Sequence, residues 1–492
     1  MHYIEPKNKD QLRLDNHIDQ WVSRDNPVRL IDVIIDKIIQ SNPAKFEWKG
    51  LSESGRRSYS PSTMIKLYLY GYLNHIPSSR RLEIEAGRNV ELIWLLGELQ
   101  PDFKTIADYR RDNGHQIRFV TIEFRKFLKS NAYIEGKDIG IDGTKIRSVA
   151  KKDMLTIEQI GSRLDNIEDK LERYLKDVQQ ADILEDIKEE IDEKSAGTIN
   201  LELVEKIAEL QQELEEFKKK EIFLKEKKIK RVCESDSEAK LMKMQGGKRP
   251  GYNIQAGIDH KYKLIAVAEV TTDECDINQL EPTIKAIEKQ LEIIPKEVTA
   301  DKGYANVPQI MEIEKNQITQ CYIPLPAKGK ENQDIREGIS FVYDQQKDQI
   351  ICSEGQILVA RQKNKKEGNQ FYNVYQGTGC NECRKKEQCT SSDKGRMIKI
   401  DFKRDEWVEK YKDRISTNYG MNKIKERKSV VEHPFGNLKN MMGKIPLLLR
   451  GKAKVQIEID LYTTGYNIKR LTNIEKPEYL IQLVHNYNWK SA

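Results

Sequence analysis

Three carboxylates in this 492-residue chain stand where a carboxylate needs a reason to be. Asp142 interrupts an apolar run, Ile141-Asp142-Gly143-Thr144. Asp301 ends another, Thr299-Ala300-Asp301-Lys302-Gly303-Tyr304. Glu432 lies in Ser429-Val430-Val431-Glu432-His433-Pro434-Phe435-Gly436. A carboxylate among apolar neighbours costs free energy unless it is paired or bound to a metal. Three that converge would offer hard oxygen ligands suited to Mg²⁺ or Mn²⁺. A pair of such ions can activate a water or a 3′-hydroxyl and steady the leaving oxygen during in-line attack on phosphorus. Each acid alone has a plainer explanation, since an Asp at a strand end usually caps a turn. The order Asp, Asp, Glu, on strand, strand and basic segment, favours the metal reading.

Cysteines form a second group. Cys380-x2-Cys383-x5-Cys389 is tight, and Cys352 lies 28 residues before Cys380. Four thiolates could hold one structural Zn²⁺ tetrahedrally, although the step to Cys389 is longer than the usual second pair. The alternative is a set of free thiols in a cytosolic protein. Cys233, Cys275 and Cys321 have no partner spacing and read as core residues. There is no Walker A loop, no Rossmann glycine fingerprint and no His-Glu-x-x-His motif.

These groups must be positioned by a folded frame. Residues 1–135 read as helical: Asn26-Pro27 and Ser60-Pro61 are helix starts, and Leu30, Ile31, Ile34, Ile35, Ile38 and Ile39 recur at helical spacing. From Asp138 to Ile146 apolar and polar residues alternate as in a half-buried strand. Strands are expected again at 252–258, 264–270, 297–301 and 321–324, with a helix at 278–291. That alternation suggests an α/β core.

Residues 151–245 interrupt this core. Leu164, Ile167, Leu171, Tyr174 and Val178 step by three and four, as do Leu203, Ile207, Leu210, Leu214 and Phe217. The pattern predicts a helical hairpin packed as an antiparallel coiled coil, turning at Lys194-Ser195-Ala196-Gly197-Thr198. The segment holds 19 Lys and Arg against 25 Asp and Glu, a net charge of −6, so it reads as a solvated arm and not a phosphate-binding surface. Residues 420–470 invert the balance, with 11 Lys and Arg against four acids, a net of +7. That local surplus points to nucleic acid better than the whole-chain charge of +6.

The motifs around the acids resemble those of the DDE transposases of bacterial insertion sequences. Ile141-Asp142-Gly143-Thr144, Ala300-Asp301-Lys302-Gly303-Tyr304 and Val431-Glu432-His433-Pro434-Phe435-Gly436-Asn437-Leu438-Lys439 look like the family's three acidic motifs. Pro27-Val28-Arg29-Leu30-Ile31-Asp32 and Phe103-Lys104-Thr105-Ile106-Ala107-Asp108-Tyr109-Arg110 resemble its N-terminal helical domain. The resemblance implies an RNase H-like DDE core, metal ligation by Asp142, Asp301 and Glu432, cleavage at element ends and strand transfer. It implies that Lys439 contacts terminal DNA. The related signature places a Tyr and an Arg before the Glu; here the Tyr position reads Ile424, and the nearest cations are Arg427 and Lys428.

The expected architecture is α/β with an all-helical DNA-binding domain over residues 1–135. Residues 136–150 and 246–335 form the first parts of the core, and residues 151–245 the hairpin insertion. A Cys-bearing β-rich insertion covers residues 336–405, and residues 406–492 form the basic, Glu-bearing helical remainder. Expected phosphate contacts are Lys439, Arg427, Lys428, Lys302, Lys145, Arg147, Arg110 and Arg111. The partners would be double-stranded DNA, as terminal repeats and as target, and a second copy of the chain as a homodimer on paired ends. No apolar stretch is long enough to span a bilayer and no signal-peptide core opens the chain, so a cytoplasmic, nucleoid-associated protein is expected. Two rival readings are a metal-dependent nuclease without strand transfer and a non-catalytic DNA-binding protein derived from a transposase.

Overall fold

A computed structural model of the chain describes residues 18–46, 58–150, 154–188, 197–227, 229–244, 247–326, 339–367, 370–442 and 447–490. For 177–188, 197–204, 370 and 438–442 it describes the backbone alone. Six helices come first: α1 (Pro27–Ser41), α2 (Pro61–Leu73), α3 (Ser79–Arg88), α4 (Val90–Leu96), α5 (Phe103–Asp112) and α6 (Gly114–Ser130). The side chain of Asn26 accepts the N–H of Val28 at 2.9 Å, with Pro27 at the first helical position. Ser60 likewise accepts the N–H of Thr63 at 3.1 Å, ahead of Pro61. Such caps satisfy N–H groups that a first turn leaves unpaired.

Strand β1 (Asp138–Arg147) carries Asp142. The chain then leaves the sheet through β2 (Met154–Thr156), α7 (Ile157–Lys188), α8 (Gly197–Lys227) and β3 (Arg231–Cys233). Strands β2 and β3 pair antiparallel at the base of the hairpin. Ile160, Leu164, Ile167 and Leu171 of α7 are buried with Phe217 and Leu224 of α8 in a core of their own. Tyr174 stays partly outside it, and the side chains of Val178 and Leu203 lie outside the described residues, as do Lys194, Ser195 and Ala196 of the expected turn.

The chain re-enters with β4 (Lys240–Met244), β5 (Gly247–Asp259), β6 (Ile265–Thr271), α9 (Leu280–Leu291), β7 (Glu297–Thr299), α10 (Val307–Glu314) and β8 (Gln320–Tyr322). Strand β5 pairs antiparallel with β1 along one edge, and with β4 and β6 along the other. On the far side of β1, β7 and then β8 pair in parallel. The parallel half follows from the helical crossovers α9 and α10, because parallel neighbours need a long connection.

A second, antiparallel sheet follows, in the order β13-β12-β11-β10-β9. Its elements are β9 (Phe341–Asp344), β10 (Gln349–Cys352), β11 (Ile357–Glu367), β12 (Gln370–Gly377), α11 (Lys386–Cys389) and β13 (Met397–Ile400). Its buried centre is small, consisting of Ile350, Leu358 and Tyr375.

Four helices close the chain: α12 (Phe402–Ser416), α13 (Asn418–Met442), α14 (Lys452–Thr472) and α15 (Pro477–Asn486). Helix α14 is buried from Val455 to Ile468 and packs on α2, α6 and β6. Asn42 donates to the carbonyl of Trp489 at 2.7 Å, tying the end of α1 to the chain's last turn. One apolar core therefore runs from Val22 through the sheet to Trp489. Residue 135 does not divide two cores, because the C-terminal helices α14 and α15 complete the N-terminal bundle. The basic run 420–470 is likewise not one surface: its stretch within α14 is interior, and Lys452, Lys454 and Lys469 emerge at that helix's ends.

Glu458 lies in that interior. Its carboxylate accepts the N–H groups of Leu448 at 2.9 Å and Leu449 at 2.6 Å. Burial nonetheless pushes its pKa up to about 7 from an ordinary 4.5, against the pull of Arg110 and those two N–H groups. Between those values the fold holds a proton that the unfolded chain has released. The stability from this group is fully present below pH 4.5 and is lost as pH rises through 7. Glu458→Gln should flatten that slope, as read by urea melts at about pH 5 and about pH 8. An unchanged slope in the variant would contradict the assignment.

Candidate active site

Strand β1 places Asp142 opposite Ala256 of β5. On its other edge β1 pairs with β7 from Asp138↔Glu297 to Gly140↔Thr299. Continuing that register two residues brings Asp142 level with Asp301. Side chains alternate along strands, so both acids fall on the face that carries Gly140 and Thr299. Helix α13 covers that face: a Cβ at position 140 would lie 3.0 Å from Val431 Cγ1 and 3.3 Å from Val430 Cγ1.

Each Asp is held by the backbone beside it. Asp142 Oδ1 accepts the N–H of Gly143 at 2.9 Å. Asp301 Oδ1 accepts the N–H of Gly303 at 2.8 Å, capping the 3-10 turn Lys302–Tyr304. The turn-capping explanation of Asp301 is thus realised, and it orients one oxygen while the other stays uncommitted. Burial pushes the Asp142 pKa up; Arg427 and the Gly143 N–H pull it down, while Asp301 and Asp276 push it further up. The negative charges of the site therefore repel one another, a strain that a bound cation would relieve.

Asp276 is the acid that sequence reading missed. It sits in the loop between β6 and α9, and its Oδ1 accepts from Asn253 Nδ2 and Gln255 Nε2, both at 2.7 Å. Those partners alternate with Ala256 on β5, so they occupy the face opposite Asp142. Gln255 also accepts from the buried Tyr304 hydroxyl. The available signal was the polar pair Asn253 and Gln255 inside an otherwise apolar strand.

Gly143 leaves room for this network. A Cβ there would lie 2.5 Å from Gln255 Nε2, 2.8 Å from Asp276 Oδ1 and 3.0 Å from Tyr304 Oη. Gly143→Val should displace all three and cost about 1–3 kcal/mol of stability, measurable by urea unfolding. A stability within a few tenths of wild type would show that the network is slack.

Helix α13 is anchored at its start by Lys423, which pairs with Glu297 at 2.6 Å and with Asp138. One turn on, Arg427 Nη1 stands 3.7 Å from Asp142 Oδ2, and that nitrogen has no hydrogen-bond partner among the described residues. Sequence reading left the extent of this helix open because of Pro434; α13 in fact runs through Pro434 without a break. Glu432 is outward on it, with a side chain 63% exposed, and faces Lys428 at 3.7 Å. His433 Nδ1 meets the Tyr466 hydroxyl at 3.0 Å. Among the described residues, no three His, Cys, Asp or Glu side chains are closed around one point at ligating distance. The two aspartates are thus brought together, and Glu432 stands one residue beyond the Val431 contact without reaching them.

The expected phosphate contacts are scattered. Lys302 and Arg147 are exposed and Lys145 is half-buried. The side chain of Lys439 lies outside the described residues. Arg427 faces the acids, with a side chain only 16% exposed. Arg110 is a correction: it is buried, donating to the Tyr72 hydroxyl at 3.1 Å and the Pro77 carbonyl at 2.8 Å, so it cannot meet DNA. Arg111 is exposed but paired with Asp108 at 2.8 Å and Asp112 at 2.7 Å.

The four clustered cysteines share a cavity without closing on one point. Cys352, Cys380, Cys383 and Cys389 all line one cavity in the second sheet, and none is in a disulfide. Burial pushes the Cys389 thiol up and Arg396 pulls it down, while Cys380, Cys352 and Cys383 push it up further, as close thiols must.

Two stretches of the chain match family models. Residues 351–472 match a transposase DDE domain. Residues 16–112 match a transposase domain (DUF772). These two matches support the resemblance to the DDE transposases of insertion sequences that its three acidic motifs carry. The DDE match takes in Glu432 and the four clustered cysteines; Asp142 and Asp301 lie outside both matches. No curated protein matches the sequence. Among solved structures, a cryo-EM structure of the piggyBac transposase synaptic complex with hairpin DNA aligns at 10% identity with a TM-score of 0.28, over 94% of this chain and 79% of that one. No helix among the described residues is long and apolar enough to cross a membrane.

Proposed function

We propose that this protein is a DDE transposase that cuts DNA at the ends of its element and joins the freed 3′ ends to target DNA, with Asp142, Asp301 and Glu432 as its metal-holding acids. The observation that carries the reading is the parallel register of β1 and β7 under α13, which, continued by two residues, sets Asp142 level with Asp301. The strand arrangement, antiparallel β6, β5 and β1 followed by parallel β7 and β8, supports the RNase H-like core that the family resemblance implies.

The residues suit a hard divalent ion, Mg²⁺ or Mn²⁺. Their donors are carboxylate oxygens, and their mutual repulsion is of the kind that a cation relieves. Such an ion supplies positive charge for the phosphoryl oxygens and a more acidic attacking hydroxyl. The protein's own part is to aim the donors. Gly143 and Gly303 N–H groups fix one oxygen on each Asp. Arg427, whose Nη1 stands 3.7 Å from Asp142 Oδ2 without a hydrogen bond, is proposed to meet a phosphate beside the acids. Glu432 would have to turn inward from its outward position beside Lys428, next to the point where Val431 seats α13 on β1. Lys428, Lys302, Lys145, Arg147 and Lys439 are proposed to neutralise phosphates of terminal or target duplex. A homodimer would hold the paired ends.

The test is a duplex carrying the element's terminal repeats, incubated with the purified chain, Mg²⁺ and a supercoiled target. Metal-dependent nicks at the ends, followed by joined products, are expected. Nicks without joining would instead mark a nuclease, and binding without nicks a transposase-derived DNA-binding protein.

A further inference from the structure

We propose that Cys352, Cys380, Cys383 and Cys389 form a structural zinc site that holds the second sheet together, independently of the chemistry at Asp142 and Asp301. The four thiols come from three separate places: the end of β10, the turn after β12, and α11. They converge on one cavity of about 20 Å³. That exceeds the roughly 10–15 Å³ that a single water needs, so one ion fits and little else does.

The surrounding backbone is arranged for sulfur. Cys352 Sγ accepts the N–H of Gln356 at 3.3 Å, where the chain turns back from β10 into β11. An N–H aimed at a ligand sulfur stabilises its thiolate form, as outer-shell partners of metal ligands do. Cys383 N–H reaches the Cys380 carbonyl at 3.3 Å, and Lys386 N–H the Cys383 carbonyl at 3.0 Å, so the Cys-x2-Cys pair lies on a tight turn. Gly377 makes room for that turn: a Cβ there would lie 2.1 Å from Cys380 Sγ.

The sheet also needs such a fastening. Its fully buried apolar centre is three residues, Ile350, Leu358 and Tyr375. A module with so small a core does not hold its shape by burial alone, and metals or disulfides commonly supply the difference. No disulfide is present among these cysteines. The sulfurs are gathered but not yet closed on one point. Zinc binding releases the thiol protons and would draw them in. Four sulfur donors select zinc over Mg²⁺, so the same chain would hold two different metals at two different places.

The experiment uses the full-length chain, purified without chelator from zinc-supplemented medium and analysed for metals by mass spectrometry. About one zinc per chain is expected, released by a mercurial thiol reagent. Cobalt in its place should give the d–d and thiolate charge-transfer bands of a tetrahedral thiolate site. The double variant Cys352→Ser/Cys383→Ser should hold less than about a tenth of that zinc, while Cys275→Ser, at an exposed cysteine elsewhere, should keep all of it. Wild-type protein with no bound zinc, with iron in its place, or with a disulfide among the four cysteines would overturn the proposal. None of these readouts requires DNA cleavage, so they stand whether or not the transposition chemistry proves correct.

Discussion

Asp142→Asn is expected to lower strand cleavage by about 10³-fold or more while leaving end binding and stability near wild type. The substitution is nearly isosteric, and its amide oxygen can still accept the Gly143 N–H that Asp142 accepts now at 2.9 Å. What it removes is the charge. Burial and the neighbouring Asp301 and Asp276 already oppose that charge, so neutralising it should not weaken the fold. A charge held against such opposition would serve something outside the fold, and under the proposed function that is a metal ion. Asp301→Asn should behave alike, because Asn also caps a turn and the Gly303 N–H keeps its acceptor. Asp276→Asn should cost much less activity, since Asp276 stands behind the strand and acts on Asp142 through space. Gel assays of nicked ends, with thermal melts of the same preparations, check all three. An Asp142→Asn protein that cleaves at the wild-type rate would remove the acid from the mechanism.

The second large effect concerns the fold. Asp460→Ala is expected to destabilise the protein by about 3–5 kcal/mol. Asp460 is wholly buried in α14, and both its oxygens accept from Arg118 Nη1, at 3.1 and 2.9 Å. Gln456 donates to it at 3.0 Å, and the buried Arg125 lies within its field. Arg118 also reaches Glu269 of β6 at 2.5 Å. Removing Asp460 leaves Arg118 with Glu269 alone and takes the main opposing charge away from the buried Arg125. Burial raises the Asp460 pKa, against the pull of Arg118 and Arg125, so this pair is a costly way to stabilise α14. Its consequence is geometric: it locks α6 of the N-terminal helices to α14 and to β6 of the first sheet. Urea melts should show a lower midpoint at unchanged slope. The double variant Asp460→Leu/Arg118→Met should recover much of the loss, as apolar replacement of buried ion pairs often does. A single-variant loss below about 1 kcal/mol would show that the pair is not desolvated as its burial implies.

What the sequence disclosed was local, and what it concealed was tertiary. Asn26-Pro27 and Ser60-Pro61 announced helix starts because caps are short-range chemistry, and both side chains cap as expected. The alternation from Asp138 to Ile146 announced β1, and the heptads of α7 and α8 announced a hairpin with its own core. Pro434 hid the extent of α13, because one missing N–H and a ring clash are local penalties that packing on β1 can outweigh. Arg110 looked like a phosphate contact because charged helix positions usually face water; its burial against Tyr72 and Glu458 depends on a helix more than 300 residues away. The basic run 420–470 misled for a similar reason, since α14 looks basic by count but is interior by position. Asp276 was signalled only by the polar pair Asn253 and Gln255, and its relation to Asp142 exists only once β5 and β1 are in register. The four cysteines were legible as a group, although only the fold shows that Cys352 reaches the other three.

The most direct measurement of the central claim is metal-guided cleavage of the protein itself. Fe²⁺ replaces the divalent ion on the chain bound to end DNA, and ascorbate and peroxide generate hydroxyl radicals at the bound iron. The resulting backbone cuts are mapped by mass spectrometry. If Asp142, Asp301 and Glu432 share an ion, cuts appear near all three positions, are competed by Mg²⁺ and vanish in Asp142→Asn. Cuts near 142 and 301 but never near 432, with DNA present, would contradict the three-acid site.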